Sequence, residues 1–171
     1  MEHRRKKLSV IGAGYIGLEL GTVWARLGAK VEVIEFLPRI LPGMDDEIAK
    51  KFMAIVKEQG LSFRLSTAVK QAKSSKAGVT LTVEPADGGK PESISADIAL
   101  VSVGRHPATD GLGLEAAGVA LTERGRIAVD TRFETSLDDV YAIGDVIDGP
   151  MLAHKAEEDA VAAVEMMAGR A

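Results

Sequence analysis

An α/β fold, with a parallel sheet, helices on both of its faces and an antiparallel β-meander crossover, is what this sequence predicts from three observations. Apolar, strand-like runs alternate with helix-period segments from residue 8 to residue 65. A glycine turn of the form G-x-G-x-x-G stands between the first strand and the first helix. Beyond residue 67 the texture changes to short β-rich stretches separated by turn formers.

The run Leu8-Ser9-Val10-Ile11 reads as a buried strand that delivers the chain into Gly12-Ala13-Gly14-Tyr15-Ile16-Gly17. Gly12 suits a tight turn, Gly14 lets a phosphate approach the backbone, and Gly17 lets a helix lie close to a sheet. The free N–H groups at the helix start carry the positive end of its dipole and face an anion without help from a lysine. Ile16, Leu20, Val23, Trp24 and Leu27 recur at three- and four-residue steps and predict one apolar helical face, with Gly28 as the C-cap. Val31, Val33 and Ile34 form the second strand, which ends on Glu35. An acid at that position, roughly 20 residues past the glycines, can accept from both hydroxyls of an adenosine ribose. The same carboxylate repels a 2′-phosphate. Phe36 and Leu37 follow it, so no arginine stands directly behind Glu35, and Arg39 is the one nearby cation. This Rossmann-like pattern predicts NAD(H) in preference to NADP(H).

Pro38 and the pair Pro42-Gly43 then mark a loop, and Asp45, Asp46 and Glu47 put negative charge where a second helix begins. Ile48, Phe52, Ile55 and Val56 supply its predicted buried face and Gly60 stops it. A third strand over residues 61–65 completes a β-α-β-α-β unit. Residues 68–72, 79–83 and 94–98 predict the meander, and a continuous apolar strand over 98–103 runs into Gly104-Arg105. That exit lies at the carboxyl end of a sheet, where ligands collect. Further on, 127–129 reads as a strand, and Val140-Tyr141-Ala142-Ile143-Gly144-Asp145 as a short strand closing on an acid. Gly149-Pro150 introduces a last helix over 153–167, with Ala156, Val161, Val164 and Met167 on its apolar side.

Composition narrows the function further. With 171 residues and 46% hydrophobic content, the chain can bury a core of one domain or slightly more. A net charge of -4, with no basic, aromatic-rich face, argues against a nucleic-acid partner. The basic start from His3 to Lys7 reads as a solvated lead-in. No apolar run reaches membrane-spanning length and no signal-peptide core is visible, so no membrane partner is expected and residence is expected in a bacterial cytoplasm or an organelle matrix. The absence of cysteine excludes a disulfide, a thiolate metal site and a cysteine nucleophile. His3, His106 and His154 are too scattered for a metal cluster, so metal catalysis is not expected.

Taken together, Gly12 to Glu19, Glu35-Phe36-Leu37, Val101-Ser102-Val103-Gly104-Arg105, Tyr141 to Asp145 and Gly149 to Lys155 resemble the dihydrolipoamide dehydrogenases. These belong to the pyridine nucleotide-disulfide oxidoreductases, whose subunits run FAD segment, NAD domain, returning FAD segment and interface domain. The resemblance covers nearly the whole chain after the basic start and corresponds to the middle of that layout: an NAD domain over 1–120 and a partial FAD-domain segment over 121–171. It implies that Gly12, Gly14 and Gly17, with Ile16 among them, hold the pyrophosphate and that Glu35 holds the ribose. Tyr15 would gate the nicotinamide, Glu19 would line the same place, and Val69 and Gly104 would contact the dinucleotide. Asp145 would bind the ribityl or phosphate region of FAD, with Met151, Leu152, Ala153 and His154 at the flavin end. His106 stands where the family usually has arginine, and Ala160 where glycine is common.

The family's redox disulfide and His-Glu relay lie in regions that this sequence does not match. The implied function is therefore the NAD(H)-binding portion of an enzyme that passes electrons from dihydrolipoamide through disulfide and flavin to NAD, with the chain inactive by itself. A stand-alone NAD-binding or sensing module, one piece of a split flavoenzyme, and a related NADH-dependent flavin oxidoreductase remain as alternatives. The expected partners are NAD(H) and either the remainder of the flavoenzyme or a second copy, reached through apolar surface on the C-terminal segment, so that a homo-oligomer is expected.

Overall fold

The alternation of apolar runs and helical periods produces the expected β-α-β-α-β unit in a computed structural model that describes residues 6–170. Residues 3–5 of the expected basic lead-in lie outside the described residues. The elements are β1 (Lys7–Ile11), α1 (Tyr15–Arg26), β2 (Lys30–Ile34), α2 (Asp46–Glu58) and β3 (Leu61–Arg64). The meander follows as β4 (Thr67–Ser75), β5 (Gly78–Pro85) and β6 (Glu92–Ala96), and β7 (Ile98–Val101) returns to the first sheet. The parallel sheet has the order β3-β2-β1-β7, and the antiparallel one β4-β5-β6. Val10 stands opposite Val33 on one side and Leu100 on the other.

Strand alternation separates two cores within this first unit. Leu8, Val10, Val31, Val33 and Leu61 meet Leu18 of α1 and Ala49 and Val56 of α2. On the opposite face Ile34, with Ile11 and Ala99 beside it, meets Leu81 and Val83 of the meander. The expectation of helices on both faces is thus corrected: both long helices share one face and the meander covers the other. The meander can do so because β5 turns two large, fully buried side chains, Leu81 and Val83, toward the sheet. Arg64 fastens the layers at the strand ends, hydrogen-bonding Glu32 of β2 at 2.7 Å and pairing with Glu92 of β6. The bond to Glu32 raises the guanidinium pKa further above its already high ordinary value.

Helix α1 corrects a second expectation. Its buried residues are Gly17, Leu18 and Gly21, whereas Ile16, Leu20, Val23, Trp24 and Leu27 are exposed, Leu27 by 74%. Glycine is the reason: a Cβ added at Gly21 would already touch Leu61, Val31 and Val10 at 3.6–3.7 Å, so the helix approaches on its small-residue side. The larger apolar stripe is left on the far side. Helix α2 is rotated by about one residue from its expected face, burying Ala49 and Val56 with Phe52 and Met53 against them, while Ile48 and Ile55 are exposed. Its start is capped by Asp45, whose carboxylate accepts from the Glu47 and Ile48 N–H groups at 2.9 and 3.1 Å.

The chain divides into the units Met1–Gly104 and Arg105–Ala171. The second unit holds a short helix α3 (Leu114–Ala117), a 3-10 turn (Gly144–Val146) and α4 (Ala153–Met167) around Val119, Ile127, Ala142 and Ile147. Leu114 and Val119, placed by the sequence near the end of the first domain, pack here. The strands expected at 127–129 and 140–145 reduce to the isolated bridges Leu121 to Ile127 and Glu134 to Tyr141. Asp130 turns the chain between them, its side chain accepting from the N–H groups of Arg132 and Glu134. On α4 Asp159 and Ala163 are buried, and Val161, Val164 and Met167 face outward. Among the described residues, no helix is long and apolar enough to cross a membrane.

The orientation of α1 makes a direct prediction for urea unfolding. Leu18→Ala should lower stability by about 2–5 kcal/mol through cavity formation. Leu27→Ala, on the exposed stripe, should change it by no more than about 0.5 kcal/mol.

Candidate functional site

Because β1, β2 and β7 run parallel in register, Ile11, Ile34 and Val101 end side by side, and the segments that follow them emerge at one edge. The glycine turn is anchored there from two sides. Gly12 donates to the Ile34 carbonyl at 2.8 Å, and the Leu41 N–H donates to the Ala13 carbonyl at 2.9 Å. Gly12 has φ +101°, and a Cβ on it would stand 2.4 Å from the Ser102 carbonyl oxygen, so torsion and space both demand glycine. At Gly17 the demand is spatial, since a Cβ would lie 2.2 Å from the Gly12 oxygen and 2.6 Å from Ser102 Oγ.

Gly14 differs. It is the N-cap of α1, with extended φ -79° and ψ -176°, and a Cβ there would meet nothing within 4 Å. No side chain caps α1, whereas Asp45 caps α2. The amides at the start of α1 are thus open to a ligand, with the helix dipole behind them.

Glu35 is only 9% exposed, and its carboxylate turns toward the glycine turn. Oε2 accepts from the Ala13 N–H at 2.7 Å and Oε1 from the Leu37 N–H at 2.9 Å. An ionised carboxylate has about four lone-pair sites, so acceptor capacity remains for sugar hydroxyls. Arg39, the nearby cation, is engaged elsewhere: its guanidinium pairs with Asp46 and donates to the Met44 carbonyl.

The other residues singled out by the sequence fall into two groups. Tyr15, Ile16 and Glu19 are exposed on α1. The meander begins beside Glu35, where the Thr67 N–H donates to the Glu35 carbonyl at 2.9 Å. Val69, at a bulge in β4, packs against Ile34, Leu81 and Val83. Gly104 follows β7 at φ +131° with open space around it. In the second unit Asp145 lies in the 3-10 turn, its carboxylate 3.5 Å from the Arg105 guanidinium. Met151 and Leu152 lead into α4, Ala153 and His154 begin it, and no side chain caps that start either. Two groups had no role assigned from the sequence. Ser102 Oγ donates toward the carbonyls of Ile11 and Gly12 at 3.0 and 3.3 Å, and the Ala13 amide ties the turn to Glu35. A hydroxyl at the end of an apolar strand was the one signal for Ser102; nothing local marked Ala13.

Comparison with known proteins agrees with this geometry. Residues 1–160 match the pyridine nucleotide-disulphide oxidoreductase family. Mitochondrial dihydrolipoyl dehydrogenase of Pisum sativum is 56% identical over 96% of this chain, and that of Bos taurus 52% over 97%. Leghemoglobin reductase of Glycine max is 55% identical over 96%. The chain spans about a third of the length of these relatives, 33%, 33% and 32% respectively. Among solved structures, the HOCl-induced flavoprotein disulfide reductase RclA of Escherichia coli superposes with a TM-score of 0.83 at 30% identity, covering 100% of this chain and 38% of that one. LpdA of Mycobacterium tuberculosis gives 0.83 at 27% identity, covering 100% and 36%. The family description names a pyridine nucleotide and the RclA structure is that of a flavoprotein, in keeping with the NAD and FAD expected from the sequence. A strand, a glycine turn, an uncapped helix and an inward-turned acid are therefore found in a sequence that matches these enzymes along nearly its whole length, and the chain belongs to the pyridine nucleotide-disulphide oxidoreductase family.

Proposed function

We propose that the first unit binds NAD(H) and that the chain serves as the nucleotide-binding part of a dihydrolipoamide dehydrogenase, with residues 1–120 as NAD domain and 121–171 as part of an FAD domain. The observation that carries this reading is Gly14. Its backbone conformation suits any residue, and among the described residues no atom beyond its chain neighbours lies within 4 Å of the place of its missing side chain. The fold has no use for glycine there, but a diphosphate lying on the amides of α1 does.

In this reading Gly12 and Gly17 shape the turn, Gly14 and Ile16 offer backbone to the diphosphate, and Glu35 accepts from the adenosine ribose. The engagement of Arg39 by Asp46 leaves Glu35 without a cation to offset a 2′-phosphate, which supports NAD over NADP. Tyr15 and Glu19 are assigned to the nicotinamide end, and Val69 and Gly104 to contact with the dinucleotide. Asp145 is assigned to the ribityl or phosphate region of FAD, with Met151, Leu152, Ala153 and His154 at the flavin ring. Bound NAD and FAD would supply hydride and electron transfer, while the protein binds and orients them.

The chain holds no cysteine, so the redox disulfide of such an enzyme must be supplied by other polypeptide. By itself the chain is a binding module without turnover. Association with the rest of an enzyme, or with a second copy, would cover the exposed apolar residues of α4, and those of α1 offer further area. The pea and bovine relatives carry the designation mitochondrial, which supports an organelle matrix as the place of work.

Calorimetric titration tests the first assignment. NADH should bind more tightly than NADPH, and Gly14→Ala should leave the melting temperature unchanged while weakening NADH at least tenfold, about 1.4 kcal/mol. Equal affinities for NADH in wild type and Gly14→Ala would overturn the diphosphate assignment. Exchanging this chain for the matching third of the pea enzyme tests the second. The hybrid should be a yellow protein with NAD-dependent dihydrolipoamide oxidation, and Asp145→Ala should lose flavin; a folded, colourless hybrid would contradict the FAD assignment.

A further inference from the structure

Among the described residues, two acids are buried, Glu35 and Asp159, and each accepts a hydrogen bond from the backbone of a glycine-led turn. Glu35 holds the first turn, as described. Asp159 holds the second: its Oδ2 accepts from the Gly144 N–H at 3.1 Å and lies 2.5 Å from Lys155 Nζ, one helical turn earlier on α4. Gly144, at φ +74°, lies directly on the helix, since a Cβ there would stand 3.0 Å from Ala156 Cβ. The Lys155 stem continues across the same loop, its Cε and Nζ 3.1 and 3.2 Å from where a Cβ of Gly149 would be. Arg126 secures the far end, donating to the carbonyls of Ile147 and Gly149 at 3.0 Å each.

An ion pair between a buried acid and a half-buried lysine adds little net stability over an apolar pair of equal volume, because the charges give up part of their hydration. It does fix direction. A carboxylate aimed at one amide specifies a backbone orientation that Leu or Met could not, and Asp145 is the next residue. The Asp145 side chain is about a third exposed, and its Oδ2 stands 3.5 Å from the Arg105 guanidinium, which leaves acceptor capacity on the carboxylate for a hydroxyl donor.

We propose that Asp159, neutralised by Lys155, is a positioning residue that locks the Gly144–Val146 turn so that Asp145 presents its carboxylate to a hydroxyl of the flavin's polyol chain. The proposal deepens the FAD assignment above and rests on it for the identity of the hydroxyl, but the locking of the turn is a property of the ligand-free chain.

Amide hydrogen exchange and chemical shifts of the full 171-residue chain, read by NMR, test the lock. In Asp159→Leu the Gly144 amide should exchange at least tenfold faster and the Asp145 carboxyl carbon should shift, while the Ala142 amide, bonded to the Phe133 carbonyl in the same unit, keeps its protection. Asp159→Asn retains an acceptor in nearly the same volume, and there the Gly144 proton should move upfield with exchange only a few-fold faster. This second variant decides the matter if the leucine variant fails to fold. Unchanged Gly144 exchange and shift in a folded variant would overturn the proposal, as would loss of protection spread equally over Ala142 and Gly144, which marks general loosening. A colourless hybrid with the pea enzyme would remove the flavin assignment and leave these amide measurements to stand separately.

Discussion

The close approach of α1 to the turn that precedes it is the constraint on which the first unit depends. Gly17 passes so near the Gly12 carbonyl and the Ser102 hydroxyl that no side chain fits between them. Two pieces of chain far apart in sequence, the turn from β1 into α1 and the exit of β7, are thereby held within contact distance. The helix axis is then aimed outward over the sheet edge, and its uncapped amides become the natural seat of an anion. Had Gly17 carried even a methyl group, the helix would have to lift and the aim would change.

The same constraint explains an exposed surface that a lone helix pattern does not foresee. A helix that must approach on its glycine side leaves its larger apolar residues on the opposite side, here Ile16, Leu20, Val23, Trp24 and Leu27. The stripe begins beside the glycine turn. In relatives about three times as long, such area has further polypeptide available to cover it. Exposed apolar residues on α4 suit the same explanation.

Charge is used sparingly inside the described chain. Each buried acid accepts from at least one backbone amide, and among the described residues no buried side-chain nitrogen or oxygen lacks a partner. The Glu35 carboxylate, proposed here to accept from a ribose, already ties Ala13 and Leu37 into place. A site whose recognition group already holds its own loop loses little order when the ligand arrives, which is what preorganisation requires.

The family, the β-α-β-α-β unit, the glycine turn with its acid and the meander were all legible in the residues, because strand and helix periods and glycine spacing are local properties of a chain. Helix α4 was likewise bounded by its own pattern and by Gly149-Pro150. Which side of α1 is buried was not legible: periodicity finds an apolar face, but the contact was decided by how closely glycine lets two backbones approach. The placement of both long helices on one face, the one-residue rotation of α2, and the reduction of two expected strands to single bridges also depended on which surfaces were already occupied. Ser102, Ala13 and Asp159 make hydrogen bonds to partners brought near only by the fold. A hydrogen bond across many residues leaves no periodic trace in sequence, so tertiary structure alone could assign it.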